Sequence, residues 1–301
     1  AISHGSVGLA ARALDKAAAR DCGPWHDVTG KVAVVLDGVL LNRRALMLEL
    51  TGKDSAEMSA AEVVGHGYLA WGAQVFARIE GAFAIAVWDA AKGALMLARD
   101  GLGQRPLLYA ARGETVNFAS ILPSLAADRR CTLGFDPAAL RLLLAEGHLG
   151  ATRTPYAEAR QVPPGRVLTI TANEIQEQVF WQPKHSRKLR KLAAAAEVFE
   201  PLWTEIVGEH MAGGTSSALI EQDHFGGTLI SLALPKDADL PLLLAAAQWR
   251  PSDLQETLEL SRALGMSMRS VDVPFDRAAE SMFLDLARVS DGQGIRPESL
   301  P

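Results

Sequence analysis

Hydrophobic positions recur along the chain mostly in the two-residue, strand-type period between residues 31 and 181. Residues 31–38 (KVAVVLDG) are a short β-branched apolar run closing on Asp37-Gly38, the pattern of a buried strand followed by a turn. Residues 43–50 read as a helix. Val63, Val64 and Tyr68 lie at helical spacing behind Ser59, which serves as N-cap with Glu62 three positions on, a capping box. From Ala82 to Asp89, Phe83, Ile85 and Val87 alternate with Ala82, Ala84 and Ala86, so one face of this strand is small enough for a closely stacked second layer. Lys92-Gly93 turns the chain into a strand over 94–99, and 101–106 is a loop. Asp136 caps a helix with Pro137 in its first turn and an apolar face at 140–145. Val162 to Arg166 is a turn, and 167–170 with 179–181 form a closing hairpin. Strands bounded by hairpin turns predict a sandwich of two mainly antiparallel sheets flanked by helices.

Past Trp181 the pattern changes. Residues 184–191 (KHSRKLRK) carry five Lys or Arg in eight positions, a linker or solvated helix face, or else a surface for phosphates or an acidic peptide. A helix is expected over 200–207, a Gly/Ser loop at 212–217 opening a helix over 218–222, and a strand over 228–234 (TLISLAL). Residues 253–273 give an amphipathic helix through Leu254, Leu258 and Ala263, then a glycine stop and a strand.

Composition narrows the function classes. Half of the 301 residues are hydrophobic (49%) and mean hydropathy is +0.09, values of an ordinary globular protein long enough for two domains. Apolar runs such as 240–247 are far shorter than the roughly 20 residues a bilayer helix needs. Without a basic and apolar leader at the N-terminus, a cytoplasmic location is expected. Cys22 and Cys131 are too few for a disulfide framework or a zinc cluster and read as buried or incidental thiols; no metal ligands are assigned. A net charge of -5 argues against a nucleic-acid surface over the whole molecule.

Residues 80–109 (EGAFAIAVWDAAKGALMLARDGLGQRPLLY) and 117–120 (NFAS) resemble the glutaminase-like domain of class B asparagine synthetases. That family shows a Gly-Xaa-Phe-Ala-Xaa-Ala strand, a Trp-Asp turn, an Ala-Arg-Asp strand end, a Gly-Xaa-Xaa-Pro-Leu turn and a Phe-Ala-Ser strand. Its Leu-Pro-Pro-Gly turn and terminal Tyr-Trp correspond to 162–165 and Phe180-Trp181, so the resemblance covers about residues 31–183. It implies an α+β domain with an Ntn-hydrolase-like αββα sandwich over 1–183, a basic linker over 184–198, and an incomplete α/β pyrophosphate-loop domain, adenine nucleotide α-hydrolase-like, over 199–301.

The resemblance also implies what is missing. Family glutaminases use the thiol of an N-terminal cysteine as nucleophile, and position 1 is Ala1. No Arg-Gly-Pro-Asp loop, which grips the substrate carboxylate in the family, occurs before Lys31. The family's Asn-Gly-Glu turn, whose amide donates to the oxyanion, aligns with Asp37-Gly38-Val39, and a carboxylate there cannot donate. The Ser-Asp-Xaa-Glu motif aligns with 59–62, where Ala60 replaces the aspartate that holds the substrate amine. β-Lactam synthetases and lasso-peptide macrolactam synthetases show losses of this kind, and the expectation is a protein of that glutaminase-inactive sort.

Ala212-Gly213-Gly214-Thr215-Ser216-Ser217 is similar to the family's Ser-Gly-Gly-Xaa-Asp-Ser pyrophosphate loop, with Ala212 and Ser216 departing from it. Gly213, Gly214, Thr215, Ser216 and Ser217 are the implied phosphate ligands, Ser231 and Leu232 the implied adenine contacts, and ATP with Mg2+ the implied cofactors. Residues 291–297 fall at a segment lining the family's substrate cleft, or form a plain surface turn. The family's Gly-Asp-Gly-Xaa-Asp-Glu magnesium motif is not found before Pro301, so a fragment, lost segments, a partner chain or a minimal pseudoenzyme are all expected alternatives. Three functions follow: an ATP-dependent amide ligase acting on a peptide or amino-acid carboxylate, a degenerate binding or assembly subunit, and a nucleotide-binding regulator.

Overall fold

The computed structural model describes residues 1–4, 7–12, 21–53, 58–126, 133–184 and 191–211, and beyond these 219–220, 230, 232–233, 242–246, 259, 262–263 and 268–272. The chain divides into two compact units, one containing 1–184 and another beginning at His185.

The first unit is built on a six-stranded antiparallel sheet in the order β11-β10-β6-β5-β4-β3. Its strands are β3 (Trp25–His26), β4 (Val32–Leu40), β5 (Gly81–Asp89), β6 (Ala94–Arg99), β10 (Arg166–Ile170) and β11 (Ile175–Val179). A second antiparallel sheet has the order β8-β7-β9, from β7 (Leu108–Arg112), β8 (Thr115–Ala119) and β9 (Ala159–Gln161). A short hairpin, β1 (Ile2–His4) with β2 (Val7–Leu9), lies at the N-terminus.

The alternation along β5 sorts the core into two layers. Phe83, Ile85 and Val87 join Val34 and Leu36 of β4 in a buried cluster with α1 (Arg43–Thr51), α2 (Ala60–Trp71) and the 3-10 turn Gly72–Ala77. Ala84 and Ala86, with Ala33, Val35, Leu97 and Leu168, face Leu107, Val162, Tyr109, Val116 and Phe118 of the second-sheet region. Small side chains on that face let two sheets stack closely, as the sequence pattern predicts. The second sheet packs Leu108 and Ala159 against Leu122 and Leu125 of α3 (Leu122–Ala126). The unit is therefore layered helix, sheet, sheet, helix.

Caps follow the sequence reading. Ser59 accepts from the Glu62 amide at 3.2 Å, and Asp136 from the Ala138 amide at 2.8 Å at the start of α4 (Pro137–Glu146). Only Ala139 of α4 is fully buried, and Leu144 of the expected apolar face is exposed. The expected turn at Asp37-Gly38 is absent. β4 runs on to Leu40 in register with Gly81, because glycine occupies both points of closest approach. A Cβ on Gly38 would stand 2.0 Å from the Ala82 carbonyl oxygen, and one on Gly81 2.1 Å from that of Val39.

In the second unit, α5 (Leu192–Met211) begins earlier than the helix expected at 200 and runs 20 residues with Pro201 inside it. Three strands, β12 (Leu219–Ile220), β13 (Leu242–Ala246) and β14 (Met268–Asp272), form a parallel sheet in that order. Two expectations are corrected here. Leu219–Ile220 is strand where a helix over 218–222 is expected, and Ile230, Leu232 and Ala233 are helical where a strand over 228–234 is expected. Short apolar runs have no periodicity that separates strand from buried helix, so flanking context decides. Among the described residues no helix is long and apolar enough to cross a membrane.

Candidate functional site

The residues aligned with glutaminase chemistry lie within β4 and at the start of α2. Asp37 lies opposite Ala84 of β5, and the next residue, Gly38, has φ +140°, a conformation that disfavours side chains. The start of α2 supplies Ser59 and the buried Ala60. Ala60 offers only a methyl where the family pattern has a carboxylate.

The loop 101–106 forms another wall, and it is held by two consecutive buried charges. Asp100, 1% exposed, accepts backbone amides from Leu102, Gln104 and Arg105 at 3.0–3.1 Å and from Phe83 at 3.3 Å. Arg99 donates to the carbonyls of Arg105 and Gly103 at 2.7 Å, to that of Val162 at 3.1 Å and to Gln161 Oε1 at 3.0 Å. A buried carboxylate and guanidinium are tolerated because nearly every donor and acceptor is used. Above the loop, a Cβ on Gly101 would meet the Trp181 ring at 2.6 Å, so glycine lets the indole lie on the backbone. This clamp sets Arg105 facing Asp37, with Nη1 3.9 Å from Oδ1. Both side chains are partly exposed, so the pair is a loose one.

Cys22 completes the locus. Burial pushes its thiol above the ordinary range, and the carboxylates of Asp37 and Asp21 push it further against an opposing backbone hydrogen bond. A thiol held protonated is a poor nucleophile. Asp21 itself is paired to Arg43 at 2.7 Å. The adjoining Gly23 sits so close to α2 that a Cβ would stand 3.1 Å from Ala61 Cβ.

The sequence reading located Asp37, Gly38, Ser59 and Ala60 but missed the Arg99–Asp100 clamp, Arg105 and Cys22. An Arg-Asp pair ahead of a glycine-rich loop was the available signal for the clamp. Of the implied nucleotide ligands, Gly213, Gly214, Thr215, Ser216, Ser217 and Ser231 lie outside the described residues. Leu232 is helical and 63% exposed. Among the described residues no group of three or more His, Cys, Asp or Glu could hold a metal ion.

Two face-packed antiparallel sheets between helices, with a glycine-shaped strand segment meeting a clamped loop, define an α+β sandwich of the amidotransferase kind. The chain belongs to the glutamine amidotransferase domain family, whose model matches residues 2–181. It is 28% identical over 154 residues to "Asparagine synthetase [glutamine-hydrolyzing] 3" of Bacillus subtilis, covering 49% of this chain and 25% of the relative. It is 27% identical over 177 residues to "Amidase chyE" of Penicillium rubens, covering 58% and 26% respectively. The chain spans about a quarter of the length of these curated relatives. Among solved structures, the glutamine phosphoribosylpyrophosphate amidotransferase of B. subtilis matches at TM-score 0.37 and 15% identity, covering 78% of this chain and 52% of that one. That likeness is too low to bear on activity.

Proposed function

We propose that this asparagine-synthetase-like amidotransferase domain does not hydrolyse glutamine and instead serves an ATP-dependent amide-bond-forming ligase. In that reaction a carboxylate of a peptide or amino acid is adenylated and then attacked by an amine of the substrate, as in lasso-peptide macrolactam synthetases. The observation that carries the reading is Asp37. It stands within β4 at the position aligned with the family's oxyanion donor, where acyl-transfer chemistry needs a hydrogen-bond donor, and it presents an acceptor beside Arg105. Ala60 at the neighbouring helix start supports the same reading, since it leaves the substrate ammonium without a carboxylate partner. Gly213, Gly214, Thr215, Ser216 and Ser217 would hold the ATP phosphates; the carboxylate oxygen would displace pyrophosphate from the α-phosphate of ATP, and the amine would then displace AMP from the adenylated carboxyl group, losing a proton as the amide forms.

The domain organisation proposed with this function is 1–183, a basic linker over 184–198, and 199–301 as a partial synthetase domain. The test has two arms. Incubation with glutamine is expected to release no glutamate above the buffer blank, and release abolished by a thiol reagent overturns the inactive reading. Calorimetry is expected to show ATP binding that a Gly214→Val variant loses. If neither protein binds ATP, the second reading takes over: a non-catalytic binding or assembly subunit, favoured by Ala212 and Ser216, which remove a hydroxyl and a carboxylate from the phosphate-loop pattern.

A further inference from the structure

Helix α5 carries an apolar stripe that it leaves open to solvent. Val198, Phe199 and Leu202 are 50%, 48% and 50% exposed, while Val207 further along is buried. Phe199 stacks on Trp203 with ring centroids 5.7 Å apart, which orders the stripe. Large side chains at this spacing on an exposed helix are the usual mark of a protein contact.

Charge along the same helix says what the contact is. From 192 to 211 there is no Lys or Arg, but Glu197, Glu200, Glu205 and Glu209 are present and exposed. The sequence just before it, 184–191, holds five Lys or Arg, ending at the exposed Lys191. The segment is thus basic at its start, apolar at its middle and acidic along its length to the end. We propose that α5 pairs antiparallel with α5 of a second copy of this chain about a two-fold axis beside residue 200. This arrangement sets Val198 against Leu202 of the second copy and Lys191 against its Glu209. A parallel pairing would set basic starts against each other, and an anionic membrane surface would face four carboxylates. The patch is small, so the dimer belongs to the weak, transient class. This inference rests on α5 alone and is independent of the nucleotide reading.

Sedimentation velocity of the full chain over a wide concentration range tests it. The expected result is a monomer–dimer equilibrium that shifts toward monomer with added salt. Leu202→Asp is expected to weaken it about tenfold or more, the effect of losing an anchor in a small interface. Lys191→Glu is expected to weaken it, and Lys191→Glu with Glu209→Lys to restore it. Circular dichroism checks that each variant folds. A monomer at every concentration overturns the proposal, as does self-association indifferent to Leu202→Asp or a charge swap that fails to restore pairing. Binding of a leucine–lysine amphipathic peptide or of anionic vesicles by a chain that stays monomeric also overturns it.

Discussion

Asp37 changes the electrostatics of its surroundings more than their geometry. Its carboxylate, with that of Asp21, adds to the burial that raises the Cys22 thiol. Asp37→Asn removes one of those charges, so Cys22 should ionise at lower pH and react faster with iodoacetamide at a given neutral pH. A rate unchanged or lowered across a pH series would contradict this placement of the thiol. Asp27 is shifted the other way. Burial pushes it up, but the Thr29 hydroxyl and the amides of Val32, Thr29 and Lys31 outweigh that and hold it at about 2. Its folded value lies below the ordinary 3.8, so its stabilisation is complete above that range and is lost as pH falls toward 2. Urea midpoints measured from pH 5 down to pH 2 should decline, and decline less steeply in Asp27→Asn.

The loop 101–106 shows how two adjacent residues can fix an element that has no regular structure. Asp100→Ala strips the acceptor from the buried Phe83 amide and from three part-buried loop amides at once, and an orphaned buried donor costs roughly 1–3 kcal/mol, so a loss of about 2 kcal/mol or more is expected. The loose Asp37–Arg105 pair predicts the contrast: Arg105→Ala should change stability by about 0–1 kcal/mol. Chemical denaturation of both variants separates a clamp from an ornament, since similar losses would contradict the division of roles. At this scale the sequence was legible where periodicity and caps agree, as in β5, α2 and α4. It failed at Asp37-Gly38, where Asp-Gly reads as a turn but the glycine serves a close approach to Ala82 within a continuous strand. It failed again at Leu219–Ile220, a strand too short to show a period. The local half of the clamp had a signal in the Arg-Asp pair, but its far half did not, because Arg99 reaches Gln161 and Val162, more than 60 positions away, and no local pattern encodes that contact.

At the scale of the molecule, the buried clusters place the stability of the first unit within its own sequence. The large core cluster runs from Val32 to Val167, the inter-sheet cluster from Leu9 to Ile170, and the third from Leu108 to Ala159. The segment that closes them comes last in the unit. Phe180 lies within 6.2 Å of the rings of both Phe76 and Phe83, and its amide donates to the Gly165 carbonyl at 3.0 Å. Trp181 covers Gly101, and its own carbonyl comes so near Gly165 that a Cβ there would stand 2.3 Å from it. A chain ending at residue 184 keeps every one of these contacts, whereas one ending at 178 loses the Phe180 ring from the core and the Trp181 ring from the clamped loop. Removing a fully buried phenylalanine costs about 3–5 kcal/mol, so losing the partly buried Phe180 ring together with Trp181 takes away an appreciable part of the about 5–15 kcal/mol that holds a domain folded. The expected outcome is that 1–184 melts cooperatively in calorimetry while 1–178 melts far lower or not at all. Equal melting temperatures would show that the closing segment is dispensable, and failure of 1–184 to fold would show that the unit draws stability from residues beyond it.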